Sequence, residues 1–341
     1  IGRRSGLKIP PLGGLGQGVC NDSGGGGHVG RILLKIKDML EYAAFRILVG
    51  VARILPFPVL CPLLMKVFTI AYDIGLLRRQ VVETNLSVAL GPAAPPARVR
   101  EVARKCASEH GRIVAELLRP ERLIGNPGES FRVSGIENLR DATSSGRGVI
   151  LLTAHLGNFI LGAHRIAMMG YPLTIVARTV RNPAVWGEIE KIYARGGNAV
   201  IPIRSSRNDL TGGGKILKSL RRGDTLVLVN DQDAGPEGYK SVFFGVPTYI
   251  PSGPAHFAYR CGAAVLTGFV TRRDGKVHID IQALIDYTGA KTREEAESLI
   301  LDEYTRRLEA KVVEFPEFYF WFHKKWKSTP EFRARSRGKA L

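Results

Sequence analysis

The sequence predicts an α/β protein: a mostly parallel central sheet flanked by helices, preceded by an N-terminal helical segment that associates with a membrane. Three observations carry this reading. Short apolar runs at 149–153, 173–177, 199–203, 225–230 and 264–270 alternate with helical stretches at 159–169, 183–195, 214–222 and 254–261. That alternation is what strand–helix–strand units stacked into a parallel sheet produce. Residues 32–77 form the most apolar stretch of the chain, yet Arg46, Arg53, Lys66, Pro56, Pro58 and Pro62 interrupt it. The net charge of +18 and a pI near 10 point to a polyanionic partner: nucleic acid, an anionic membrane surface or an acidic carrier protein.

Taken in order, the chain divides into four regions. Residues 1–30 hold Gly13, Gly14 and Gly24 to Gly27, and read as a flexible Gly-rich tail without the pattern of a signal peptide. Residues 31–125 read as a helical, membrane-associating region. No uninterrupted apolar run there reaches the roughly 18–20 residues of a spanning helix. Basic residues spaced among leucines, valines and phenylalanines suit helices lying in the headgroup layer, and the competing reading is a buried helical hairpin. Residues 99–118 carry helical periodicity after the Gly91-Pro92 to Pro96 break. From Asn126-Pro127-Gly128 the pattern switches to the α/β domain, 126–328, and residues 329–341 form a basic tail.

Several function classes are excluded. Cys20, Cys61, Cys106 and Cys261 form no Cys-x-x-Cys pair, so neither a zinc site nor a disulfide framework is expected. Gly212-Gly213-Gly214-Lys215 lacks the leading glycine and the Ser or Thr of a phosphate loop, and reads as a mobile connection. No basic–aromatic RNA-binding signature is present, and nucleic acid is not an expected partner.

Functional groups in parallel sheets gather at the carboxyl ends of strands. Three polar residues stand there: His155 after the first apolar run, Arg178 after the second and Asp231 after the fourth. A histidine at a strand end can act as general base. Each also has a plainer reading. His155 suits a turn, Arg178 a surface ion pair, and Asp231-Gln232-Asp233 a solvated turn. Their common sheet edge is what draws them together.

The segment from Gly146 to Phe159, Gly-Arg-Gly-Val-Ile-Leu-Leu-Thr-Ala-His-Leu-Gly-Asn-Phe, resembles the first motif of the bacterial lipid A late acyltransferases. This lauroyl/myristoyl acyltransferase family includes the phosphatidylinositol mannoside acyltransferases. Val133-Ser-Gly-Ile-Glu137, Ala177-Arg-Thr-Val-Arg-Asn-Pro183, Asn230-Asp-Gln-Asp233, Phe243-Phe-Gly245, Gly253-Pro-Ala255 and Pro316 to Trp326 resemble later parts of the same pattern, in order. Arg79 with Asn85-Leu86 resembles its helical lead-in, so the likeness spans roughly residues 38–327.

The resemblance implies a glycerolipid acyltransferase-like fold and a reaction. A fatty acyl group passes from an acyl carrier protein or coenzyme A thioester to a hydroxyl of a membrane glycolipid, such as a lipid A precursor. The setting is the cytoplasmic face of a bacterial inner membrane, and neither cofactor nor metal is implied. His155 is matched as the base and Asp231 as a further catalytic residue. Arg178 is expected to hold anionic groups of donor or acceptor. Asn158, Asn182, Gln232, Asp233, Phe244 and Gly245 are the remaining expected substrate-binding residues.

One position departs. Five residues after its histidine the family carries an acid that orients the imidazole; here that place holds Ile160. Loss of such a carboxylate costs about four orders of magnitude in serine proteases, roughly 5.5 kcal/mol. No Asp or Glu occurs between Asp141 and Glu188, so no local substitute exists. Three readings stand open: a weak or inactive member, an introduced substitution, or a carboxylate from a neighbouring strand, Asp231 or Asp233, doing the orienting. Ile160→Glu is expected to raise acyl transfer. Gly268 is a lesser departure, standing where the family often has proline. A rival class is a catalytically inactive homologue that only binds membrane glycolipid. The seven Lys or Arg from Trp321 onward, beside Phe318, Tyr319, Phe320, Trp321 and Trp326, suit either a membrane interface or a helix packed on the core.

Overall fold

The computed structural model describes residues 26–203, 210–330 and 332; most of the Gly-rich and basic tails lies outside them. The described residues begin with helices α1 (Gly26–Ile54), α2 (Phe57–Asp73), α3 (Arg79–Leu90) and α4 (Pro96–Leu118). Two single turns follow, α5 (Glu121–Ile124) and α6 (Pro127–Ser130), leading into β1 (Phe131–Ser134). Then come α7 (Ile136–Ser144), β2 (Val149–Thr153), α8 (Phe159–Met168), β3 (Leu173–Arg178), α9 (Pro183–Ala194), β4 (Ala199–Ile203), α10 (Leu210–Arg221) and β5 (Thr225–Val229). A hairpin of β6 (Tyr239–Phe243) and β7 (Val246–Ile250) precedes α11 (Gly253–Cys261), β8 (Ala264–Arg273), β9 (Lys276–Ile281) and α12 (Arg293–Glu314).

Seven strands form one sheet in the order β1-β9-β8-β2-β5-β3-β4. All neighbours are parallel except β8 and β9, which are antiparallel. The expected mostly parallel sheet with flanking helices is therefore present. Side chains of β2 alternate between two cores. Ile150 and Leu152 join α3, α4, α10, α11, α12 and the C-terminal aromatics, while Val149 and Leu151 join α7 and α8. Burial on both faces explains why β2 reads as an unbroken apolar run.

Gly212–Gly214 lie inside α10, not in a mobile connection. Glycine lowers helix propensity by about 1 kcal/mol per residue, but Ile216 and Leu220 of the same helix are buried in the core and fix it there. Helix α2 docks on α4 through Leu60, Cys61 and Leu64, packed against Ala115. A Cβ on Gly111 would sit 2.4 Å from the Leu64 carbonyl oxygen, so only glycine permits this approach. The opposite side of α2 exposes Val59, Leu63, Val67 and Ile70; α1 exposes Leu34, Ile36, Met39, Leu40, Ile47, Val51 and Ile54. Among the described residues no helix is long and apolar enough to cross a membrane.

Candidate active site

Strands β2 and β5 pair in parallel, with Thr153 opposite Val229, so the loops after them emerge side by side. Asn230 N reinforces this by donating to Thr153 O at 3.0 Å. The first loop carries His155 and the second Asp231. His155 Nδ1 donates to Asp231 Oδ1 at 2.8 Å. A carboxylate from the loop after the neighbouring strand thus meets the imidazole. Ile160 lies buried in the first turn of α8, 7% exposed.

The pair is electrostatically unequal. The His155 side chain is 32% exposed and that of Asp231 only 3%. Burial works against the imidazolium, but the charge and hydrogen bond of Asp231 outweigh it and bring His155 above its ordinary pKa. Burial alone would raise Asp231; His155 and then Lys325 overcome it and hold the carboxyl down to about 2. Tyr304 and Tyr319 border the same carboxylate, and burial followed by its charge keeps both phenols well above their usual range. With Nδ1 committed, Nε2 is the nitrogen left for chemistry. Phe159 and Phe320 flank the imidazole at 5.5 and 5.8 Å between ring centroids.

The loop between His155 and α8 is fixed by buried polar contacts. Gly157 has φ of 57°, and a Cβ there would lie 2.3 Å from Val270 O. Asn158 Oδ1 caps α8 by accepting from Leu161 N at 3.1 Å. Its Nδ2 donates to Glu116 Oε2 at 3.0 Å, and Glu116, itself buried, is ion-paired to Arg272. Asn158 is thereby placed to hold the histidine loop.

The other expected residues scatter. Arg178 ends β3 exposed, with no side-chain partner among the described residues. Asn182 is buried: its Oδ1 caps α9, accepting from Ala184 N at 3.1 Å, and its Nδ2 donates to Asp38 O of α1 at 2.8 Å. Gln232 is half-buried. Asp233 Oδ1 accepts from Gly235 N at 2.8 Å and its Oδ2 from Ser328 N at 2.9 Å, so it ties the loop to the C-terminal segment. Phe244 and Gly245, φ 53° and 70°, are the two turn residues of the β6–β7 hairpin, and Phe244 N donates to Glu309 Oε2 at 2.7 Å.

Sequence reasoning assigned no role to Tyr304 and Lys325, which lie beside Asp231, or to Glu116, which meets Asn158. Lys325 Nζ is buried, donates to Asp231 O and lies 4.7 Å from the Phe243 ring centroid. A lysine of this kind carries no sequence signal apart from its place between Trp321 and Trp326, both of which are fully buried. Both aromatics pack on the core, from turns and not from the expected helix. Among the described residues no cluster of His, Cys, Asp or Glu fits a metal.

The model of the family described as bacterial lipid A biosynthesis acyltransferase matches residues 33–328. The chain belongs to that family. It is 25% identical over 283 residues to the lipid A biosynthesis palmitoleoyltransferase of Escherichia coli, covering 81% of this chain and 87% of that one. It is 26% identical over 290 residues to the E. coli lipid A biosynthesis lauroyltransferase, with 81% and 88% covered. The phosphatidylinositol mannoside acyltransferase of Mycolicibacterium smegmatis is 28% identical over 188 residues, 53% of this chain and 59% of that one. The solved 1-acyl-sn-glycerophosphate acyltransferase PlsC of Thermotoga maritima overlaps at a TM-score of 0.36 and 14% identity, over 74% of this chain and 98% of that one. Family membership makes the chain an O-acyltransferase.

Proposed function

We propose that this chain moves a fatty acyl group from a thioester, on acyl carrier protein or coenzyme A, to a hydroxyl of a membrane glycolipid. His155 is the general base and Asp231 its orienting carboxylate. The observation that carries this is the 2.8 Å contact between His155 Nδ1 and Asp231 Oδ1 at the carboxyl ends of two adjacent parallel strands. The acceptor hydroxyl gives its proton to Nε2 as its oxygen bonds to the thioester carbonyl carbon. The tetrahedral intermediate collapses with cleavage of the carbon–sulfur bond. The thiolate takes the proton back from the imidazolium, leaving an ester and a free thiol. Asp231 stabilises the imidazolium throughout, as the aspartate of a catalytic triad does.

In this reading Ile160 does not disable the chain, because Asp231 already occupies Nδ1. That favours the neighbouring-strand explanation over an inactive member or a glycolipid binder without turnover. Arg178, exposed at the same sheet edge, is available to an anionic group of donor or acceptor. The exposed apolar faces of α1 and α2, interspersed with Lys35, Lys37, Arg46, Arg53 and Lys66, suit the headgroup layer of an anionic membrane, here the cytoplasmic face of the inner membrane.

The test offers acyl carrier protein and coenzyme A thioesters separately, with a lipid A precursor or a phosphatidylinositol mannoside as acceptor, and reads products by mass spectrometry. An added acyl ester on one acceptor supports the reading. Thioester turnover with no acylated glycolipid under any pairing would sink it.

A further inference from the structure

Residues 316–329, which follow α12, thread past both members of the dyad. Phe320 N donates to His155 O and Gly157 N to Phe318 O, each at 2.9 Å, and Leu156 bridges Tyr319 in antiparallel fashion. Farther along, Lys325 Nζ donates to Asp231 O, and Ser328 N donates to Asp233 Oδ2 at 2.9 Å. Asn85 of α3 anchors the segment by donating to Trp321 O at 2.8 Å and His323 O at 2.7 Å. One stretch of chain is therefore bonded to the main chain on the histidine side and on the aspartate side.

We propose that Lys325 is the positioning residue of this strap: its buried ammonium clamps the Asp231 loop against the Phe243 ring and shares the Asp231 charge with His155. The inference rests on the dyad reading above. A surface lysine would have no such effect, but this side chain is 3% exposed. An ammonium so placed persists only when paired. The charged and titratable groups facing it are Asp231 and Asp233 from the loop after β5, His155 from the loop after β2, and His323 from its own segment. Burial draws Lys325 down to about 8, resisted by the two aspartates. Burial also draws His323 down to about 4, so its neutral Nε2 accepts from Asp233 N at 3.1 Å and adds no positive charge near neutrality.

Asp231 strengthens the hold of His155 on its proton, and Lys325 weakens it. Without the lysine charge, His155 keeps its proton to higher pH. A general base must be neutral, so the rising limb of the pH–rate profile moves upward. A residue that merely filled space would lower rate or stability and leave that limb in place.

The experiment measures kcat/KM from pH 5 to 9 for the full chain in anionic vesicles, comparing Lys325→Met, Lys325→Arg and His155→Ala with the unmodified protein. Lys325→Met should shift the limb up by about half to one pH unit, a loss of about three- to tenfold below it. Lys325→Arg should return the limb to its original position even if its plateau is lower. A folded Lys325→Met protein with an unmoved limb overturns the proposal. Should Lys325→Met not fold, His155 ring resonances of the unmodified protein decide: a second inflection near pH 8 supports the proposal, and a single-step curve overturns it. Activity surviving in His155→Ala would instead overturn the dyad reading, so the two failures are distinguishable.

Discussion

Asp231→Asn keeps the shape of the side chain and removes only its charge. In the unmodified protein the carboxylate meets the imidazole at 2.8 Å between Oδ1 and Nδ1. The charge centres then lie about 4 Å apart, and at an effective dielectric near 20 their attraction is worth about 4 kcal/mol. His155 is 32% exposed, so solvent screening reduces this to about 3 kcal/mol. Only the imidazolium formed during transfer gains that energy, so its loss falls on turnover. At about 1.4 kcal/mol per decade the expected drop in kcat is about two orders of magnitude. The limb set by His155 should move to lower pH, because the group that raised it is gone. The assay is acyl transfer at pH 8 in vesicles, with a thermal melt to confirm folding. An Asp231→Asn protein that melts normally and turns over within tenfold of the unmodified chain would refute the orienting role.

Ile160→Glu should not raise transfer, because Nδ1 is already taken; burying an unpaired carboxyl at this 7% exposed position should cost about 2–4 kcal/mol, seen as a lowered melting temperature. A tenfold gain in rate would restore the impaired-enzyme reading. Gly157→Ala should cut turnover at least about tenfold, since its Cβ would stand 2.3 Å from Val270 O and displace the loop that carries His155; unchanged kinetics would mean the loop tolerates movement. Replacing Leu63, Val67 and Ile70 by Asp on the exposed side of α2 should leave the fold intact and reduce binding to anionic vesicles at least about tenfold, measured by flotation. Undiminished binding would place the membrane contact elsewhere.

The parts of the fold legible in the sequence are those whose signal is local. Strand β2 was readable to the residue because burial on both faces leaves a continuous apolar run, and the position of His155 followed from the rule for strand ends. Asp231 stood only as one of several candidate partners. The β2–β5 adjacency joins residues 76 apart, and no spacing rule reports it. Helix α12 was missed although its start is written in a capping box, Thr292 with Glu295. The β6–β7 turn was hidden because Phe244, not Gly or Asn, takes its first left-handed position. The C-terminal aromatics admitted two readings because Trp and Tyr beside lysines suit both a core rim and a lipid interface. Only the tertiary packing separates Trp321 and Trp326, fully buried, from exposed neighbours such as Lys324.

Turnover by this chain, with isoleucine at 160, depends in this proposal on His155 held by Asp231. The most direct measurement is the rate of glycolipid ester formation by the purified chain in anionic vesicles at pH 8, set against His155→Ala. The unmodified protein should give a readily measured product, and removal of the imidazole should lower it at least about a thousandfold. Equal product from the two proteins, or none from either with every donor and acceptor supplied, would contradict it.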